Sequence, residues 1–201
     1  MTISKKKAID ILKNEWRQVY RQQRQCLAKT LPNLYNDYCA SISKTLERVL
    51  KNINGYVASY IAFDGEIDLS GFNAMLMKQK RLLLPAINSE ENKLNFYEVK
   101  SFSQMQKSSL GFDQPMPKDE PIWPAVVLMP LVAYGAEGAR LGFGKGYYDH
   151  TFAAVESRPI LIGVGYSMSY CGDLRSEAHD VPLDAVVTEI GLESYGDSFV
   201  F

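Results

Sequence analysis

Between residues 4 and 29, apolar side chains recur at Ile9, Leu12, Trp16, Val19, Tyr20 and Leu27. At about 100° per residue they fall on one helical face. Lys13, Arg17, Arg21 and Arg24 fall on the adjoining flank. A basic flank of this kind is either a solvated face or the lining of an anion site. Pro32 breaks the chain, and residues 34–50 form a second helix that ends near Asn54 and Gly55.

The period then changes. Residues 56–63 (YVASYIAF) are β-branched and aromatic and predict a buried strand, with Asp64, Gly65 and Glu66 at its carboxyl end. Ligand crevices in open α/β sheets lie outside the carboxyl ends of strands. Glu66 is therefore a candidate site residue, and equally a candidate turn residue capping the next helix. Residues 69–80 read as that helix, 81–85 as a short core strand and 94–99, which alternate, as a more exposed strand.

Residues 101–124 contain Pro115, Pro117, Pro121 and Pro124 and predict a long surface loop, of the kind that covers a site. Trp123 either belongs to that cover or plugs the edge of the core. The apolar run 125–130 (AVVLMP) is a central parallel strand, 146–155 a helix, and 159–165 and 181–188 further buried strands. The tail 192–201 is expected to be loosely held. Buried strands alternating with helices predict a three-layer α/β/α architecture with a mostly parallel central sheet, in a single domain over 1–201.

Composition narrows the partners. A chain of 201 residues that is 46% hydrophobic and 22% charged is ordinary globular material. A net charge of −1 gives no global field for nucleic acid, so an anion site must be local. The longest apolar run, 124–134, is too short to cross a bilayer, and no apolar signal core follows Lys5, Lys6 and Lys7. Three cysteines without a C-x-x-C spacing suggest reduced thiols and a cytoplasmic protein. Two histidines are too few for a His-based metal cluster.

The richest chemistry lies at 139–149, read ARLGFGKGYYD. Gly142, Gly144 and Gly146 alternate, so the backbone can lie flat against a ligand and its amides can converge on an anion. Arg140 offers a planar fork, Lys145 a mobile charge, and Asp149 the hard oxygen that Mg2+ prefers. The stretch is not a Walker A loop, because Ala139 stands where the first Gly is needed and Gly146 where Ser or Thr is. Nor is it a dinucleotide fingerprint, because Tyr147 fills the third small position. A structural turn leading into a helix is the bland alternative; in the functional reading, the dipole of that helix faces the loop. Asp184 is either a carboxylate at the start of a strand or a second cation ligand.

These stretches resemble the 5-formyltetrahydrofolate cyclo-ligase family. Residues 140–149 are similar to its signature RLGxGxGYYD at every fixed position, KNEWR at 13–17 to its N-terminal KxxxR, YIAFDGE at 60–66 to its folate-pocket strand, and VPLDAVVTE at 181–189 to its closing strand. The resemblance implies ATP- and Mg2+-dependent cyclisation of 5-formyltetrahydrofolate to 5,10-methenyltetrahydrofolate, on a fold of the sugar-phosphate isomerase and CoA transferase type.

It further implies that Lys13, Arg17 and the run Arg140, Leu141, Gly142, Phe143, Gly144, Lys145, Gly146, Tyr147 and Tyr148 hold ATP. Ile61, Glu66, Phe143, Gly144, Lys145, Gly146 and Tyr147 would meet the folate, Asp149 and Asp184 would bind Mg2+, and Lys145, Arg140 and Glu66 would carry catalysis. A monomer acting on small molecules, with no nucleic-acid or membrane partner, is the expected state. The chain departs from the family pattern at Leu131, at Tyr134 and Gly135, and at Gln114, which changes the approach to the loop. Two other readings compete: an ATP-independent sugar-phosphate isomerase-like enzyme on the same fold, and a non-catalytic nucleotide- or RNA-binding module using the 13–24 stripe.

Overall fold

The computed structural model describes residues 4–117, 119–153 and 155–196, apart from the side chains of Lys5 and Gln104. Position 154 of the expected 146–155 helix and positions 197–201 of the expected tail lie outside them.

Helix α1 (Lys5–Thr30) is opened by Ser4, whose Oγ accepts from the Lys7 amide at 3.3 Å. Helix α2 (Pro32–Leu50) begins with Pro32 in its first turn, so the proline starts the helix two residues earlier than expected. Its fixed φ suits that position, where no intrahelical N–H is required. Strand β1 (Val57–Ala58), helix α3 (Ser70–Lys78) and the antiparallel strands β2 (Leu82–Asn88) and β3 (Lys93–Glu98) follow. A hairpin of β4 (Met105–Lys107) and β5 (Asp113–Pro115) gives the proline-rich stretch more order than a plain loop. Gln114 ties it down by accepting from the Ile87 amide at 3.1 Å.

The chain continues through β6 (Val126–Pro130), the pair β7 (Ala133–Tyr134) and β8 (Arg140–Leu141), helix α4 (Tyr147–Phe152), β9 (Ile160–Val164), β10 (Ala185–Thr188) and β11 (Gly191–Ser194). The main sheet has the order β11-β10-β9-β6-β1-β2-β3. Its five inner strands run parallel, and its two edge strands run antiparallel to their neighbours.

Alternation along the strands divides the core into two faces. Val57, Leu82, Leu84, Val126, Leu128, Ile162 and Val187 pack with Ile42 and Leu46 of α2 and Phe72 and Leu76 of α3. Ala58, Leu83, Val127, Met129, Leu161 and Val186 face the other way, onto Phe152 of α4. The expected three-layer α/β/α architecture is the one observed. Among the described residues, no helix is long and apolar enough to cross a membrane.

Two departures position the site. The strand expected over 56–63 ends at Ala58. Beyond the Ser59 amide, which still reaches the Leu83 carbonyl at 2.9 Å, side chains hold the backbone: Asn73 Nδ2 donates to the Tyr60 carbonyl and Tyr60 Oη to the Ile67 carbonyl, both at 2.9 Å. The chain is thereby free to turn back at Asp64. Helix α1, second, buries only part of its apolar stripe: Trp16, Tyr20 and Leu27 pack against the core. Leu12 and Val19 are 44% and 49% exposed, whereas Arg24 is 0% exposed and Lys13 is buried. The helix is docked by its basic flank.

Candidate active site

The docked flank of α1 meets the turn that follows β1. Arg24 Nε donates to the Asp64 carbonyl at 2.9 Å, Nη1 to the Leu131 carbonyl at 2.9 Å, and Nη2 to Asp64 Oδ2 at 3.1 Å. Arg21 Nε donates to the same Oδ2 at 2.7 Å, and Gln25 Nε2 to Oδ1. A Cβ on Gly65 would lie 3.0 Å from the Gln25 nitrogen, and its φ is +75°. Only glycine lets the turn press this closely on the helix. Burial pushes the Asp64 carboxyl up, but hydrogen bonds from Arg21, Gln25 and Arg24 outweigh it and hold Asp64 below the usual carboxylate range.

Glu66, two residues on, is in the opposite condition. It is 3% exposed. Its Oε2 accepts from the Phe63 amide at 3.2 Å, while Oε1 has no hydrogen-bond partner and lies 3.7 Å from Arg24 Nη2. Burial raises its carboxyl to about 8, against the opposing pull of Arg24 and the Phe63 amide and with the help of Asp64.

The glycine loop leaves the carboxyl end of the sheet through β7 and β8. Arg17 Nε donates to the Gly142 carbonyl at 2.9 Å. Gly144 has φ +84°, and a Cβ there would stand 3.1 Å from Arg17 Cζ, so glycine admits the guanidinium against the backbone. Phe143 turns inward, stacked on Phe63 with ring centroids 4.9 Å apart. The guanidinium carbons of Arg21 and Arg24 lie 5.1 and 5.2 Å from its ring centroid. Phe112, from the turn of the β4–β5 hairpin, approaches Phe63 at 6.0 Å. Lys145 is exposed and makes no ion pair among the described residues. Leu141 is buried beneath the loop, and Tyr147 and Tyr148 begin α4. That helix has six residues, not the ten expected, and is too short for its dipole to carry the argument.

Arg140 and Asp149 are brought together: Nη2 donates to Oδ1 at 2.5 Å, and the guanidinium lies 5.5 Å from the Tyr148 ring. Asp149 Oδ1 also accepts from the Val181 amide at 3.1 Å, and Oδ2 has no partner among the described residues. Lys13 is held by Glu177 at 2.5 Å and Asp180 at 3.4 Å. Ile61 lines a cavity of about 350 Å³ with Tyr35, Tyr60 and Asn73.

Asp184 is not brought to the loop. It opens β10 at the amino-terminal edge of the parallel strands, where Arg158 grips its two oxygens at 2.7 and 2.6 Å and the Leu161 amide donates at 2.7 Å. Asp184 is engaged within the scaffold, and the structure does not bring it to Asp149, the other residue expected to bind Mg2+. Among the described residues, no group of three or more His, Cys, Asp or Glu side chains converges as a metal cage.

Sequence reasoning placed Arg24 on the basic flank but missed its partner Asp64. The signal was present in the Asp-Gly turn and the Arg21–Arg24 spacing, but only the fold joins them. Phe63, Phe112, Glu177 and Asp180 carried no local signal of their own.

Residues 13–189 match the family model described as the 5-formyltetrahydrofolate cyclo-ligase family. The chain is 29% identical over 144 residues to the 5-formyltetrahydrofolate cyclo-ligase of Haemophilus influenzae, covering 68% of this chain and 75% of the relative. It is 30% identical over 141 residues to that of Escherichia coli K12, covering 66% and 76%. The solved 5,10-methenyltetrahydrofolate synthetase of Aquifex aeolicus superposes with a TM-score of 0.76 at 29% identity, over 94% of this chain and 96% of that one. A synthetase of the same name from Mycoplasma pneumoniae, at 23% identity and a TM-score of 0.69 over 88% and 98%, shares the fold.

Proposed function

The chain belongs to the 5-formyltetrahydrofolate cyclo-ligase family, and from that membership we propose that it converts 5-formyltetrahydrofolate and ATP to 5,10-methenyltetrahydrofolate, ADP and phosphate. The observation that carries the reading is the approach of the glycine loop to the Asp64–Glu66 turn, joined by the Phe143–Phe63 stack at 4.9 Å; in this reading the two sides part as the walls of a substrate cleft. One wall offers an uncommitted Lys145 with Arg17 and Arg140 behind the backbone. The other offers a buried carboxyl with an open oxygen. The first suits polyphosphate and the second a neutral heterocycle.

In this reading the formyl oxygen attacks the γ-phosphorus and ADP departs. Nitrogen 10 of the folate then attacks the formyl carbon and gives up its proton, the carbon–oxygen bond breaks, and phosphate leaves as the acceptor of that proton. Phosphoryl transfer of this kind needs positioning and charge neutralisation more than a protein nucleophile. Lys145 and the loop amides supply donors where charge develops. Arg17 braces the loop backbone from behind, and Arg140 fixes Asp149. Lys13 reaches ATP only by leaving, or sharing, Glu177 and Asp180. Ile61, Glu66 and Phe143 meet the folate, and Phe143 must swing off Phe63 to admit it.

Asp149 fits Mg2+ as a single carboxylate ligand through Oδ2, because the ion accepts one carboxylate when phosphate oxygens complete its shell. Asp184 does not fit. Held by Asp149, Mg2+ would supply neutralisation of phosphate charge. The same reading makes the protein a cytoplasmic monomer acting on small molecules.

The test is an absorbance assay for the methenyl product, with 5-formyltetrahydrofolate, Mg2+ and ATP, beside an ATP-free control. A band that grows only with ATP supports the reading. Folded protein that gives no band, or gives it without ATP, sinks it.

A further inference from the structure

The Asp64–Glu66 turn places two carboxyl groups beside one buried guanidinium, and the geometry divides them unequally. Asp64 takes the Arg24 Nε through its carbonyl and both Arg21 Nε and Arg24 Nη2 through Oδ2. The remaining Arg24 nitrogen is spent on the Leu131 carbonyl. Glu66 is left 3.7 Å from Arg24, beyond hydrogen-bond range, with Oε1 buried and unpartnered. An ionised carboxylate with an empty oxygen is costly in such a place, whereas a neutral acid is not. Among the described residues Oε1 has no hydrogen-bond partner, which leaves it open to an acceptor that arrives with a ligand.

We propose that Asp64 is a positioning residue that keeps Glu66 a neutral, hydrogen-bond-donating acid by claiming the guanidinium groups of Arg21 and Arg24 for itself. The inference rests on the reading of Glu66 as a folate contact. It assigns to Oε1 a donated hydrogen bond to an acceptor atom of the bound heterocycle, and it makes Asp64, beside burial, a keeper of that proton.

The groups facing Glu66 are Arg21 and Arg24 from α1, Asp64 from the turn, Tyr60 beyond β1, Tyr35 from α2, Tyr148 from α4 and Tyr166 beyond β9. Burial raises Tyr60, Tyr35, Tyr148 and Tyr166 far from neutrality, so they stay uncharged. On top of burial, the charged groups acting on Glu66 are two cations and one anion. Two carboxyl groups whose surroundings push their titrations apart are the arrangement by which sites separate an acid from a base.

The experiment is infrared difference spectroscopy of the full chain as a function of pH. The protonated-carboxyl band present in the wild type and missing in Glu66→Gln reports Glu66. In Asp64→Asn the freed guanidinium groups turn to Glu66, and the band disappears at a pH lower by about 1–3 units. Arg21→Gln, at a position whose side chain is 41% exposed and tolerant of change, moves it the other way. A Glu66 band that titrates as in the wild type in both variants overturns the proposal, and if Asp64→Asn does not fold, Arg21→Gln decides alone.

The basic limb of kcat/KM should shift with the band. A limb that stays put while the band moves overturns the donor role of Glu66. Wild-type protein without cyclo-ligase turnover would sink the proposed reaction, yet the band would still decide whether Asp64 controls the proton.

Discussion

Arg24 and Lys145 carry the same charge on the two sides of the proposed cleft, and the structure treats them in opposite ways. Arg24 is fully buried and hydrogen-bonded to Asp64 and Leu131. Lys145 is exposed, between two glycines at φ +84° and +70°, with no ion pair among the described residues. A cation consumed by internal partners braces the fold; a cation left without them is free to meet a ligand, the role proposed for Lys145. The same division separates Asp184, gripped by Arg158, from Asp149, which keeps one oxygen open.

The contrast is most directly broken at Lys145. Lys145→Met should lower turnover by about 10²–10³-fold, as loss of one transition-state donor does, while thermal unfolding stays within the small range of a surface change. Turnover within twofold of the wild type would leave the loop wall without its assigned cation. Arg24→Leu should do the reverse of a surface change. It leaves the Asp64 carbonyl and the buried Leu131 carbonyl without their donor and removes one cation from Asp64, and urea denaturation should register a loss of about 3–5 kcal/mol. A loss below about 1 kcal/mol would erase the distinction between the walls.

Acidity sharpens it further. The folded Glu66 carboxyl titrates at about 8, above its unfolded value. Its contribution to stability is complete below the unfolded value and is lost as pH rises toward 8. Asp64, held below the usual range, contributes above its unfolded value and loses that contribution as pH falls. The melting temperature of the wild type should therefore fall more steeply from pH 5 to 8 than that of Glu66→Gln. Parallel curves for the two proteins would mean that Glu66 is ionised throughout.

The smallest effect belongs to Asp184→Asn. Losing the charge-assisted clamp should cost about 1.5 kcal/mol in denaturation, with the Mg2+ dependence of turnover unchanged, whereas Asp149→Asn should raise the Mg2+ requirement. A Mg2+ dependence that shifts in Asp184→Asn would return that residue to the metal.

How much of this was readable beforehand depended on whether a residue's partner was local. The inner strands announced themselves because burial on both faces demands continuous apolar runs such as 126–130. The glycine loop was legible because its chemistry is contiguous in sequence. Helix α1 was found, but which of its faces docks was left open. Periodicity reports which side chains share a face, not which face is docked, and here Arg24 is saturated by groups 40 and 107 residues away. The strand end at Ala58 escaped for a related reason. Residues 59–63 are as apolar as a strand, but Asn73 and Tyr60 supply hydrogen bonds that release the backbone from the sheet.

The fastening of α1 has a consequence for how the protein is made. This helix leaves the ribosome before every surface it docks on: Asp64, then Leu131, then Gly142, and finally Glu177 and Asp180. At 26 residues it is long enough to hold some helix unaided. Helical structure can thus exist in a nascent chain that has no cleft. Completion of the cleft waits until the segment around residue 180 is free to fold back, so catalytic competence would be the last property this chain acquires during synthesis.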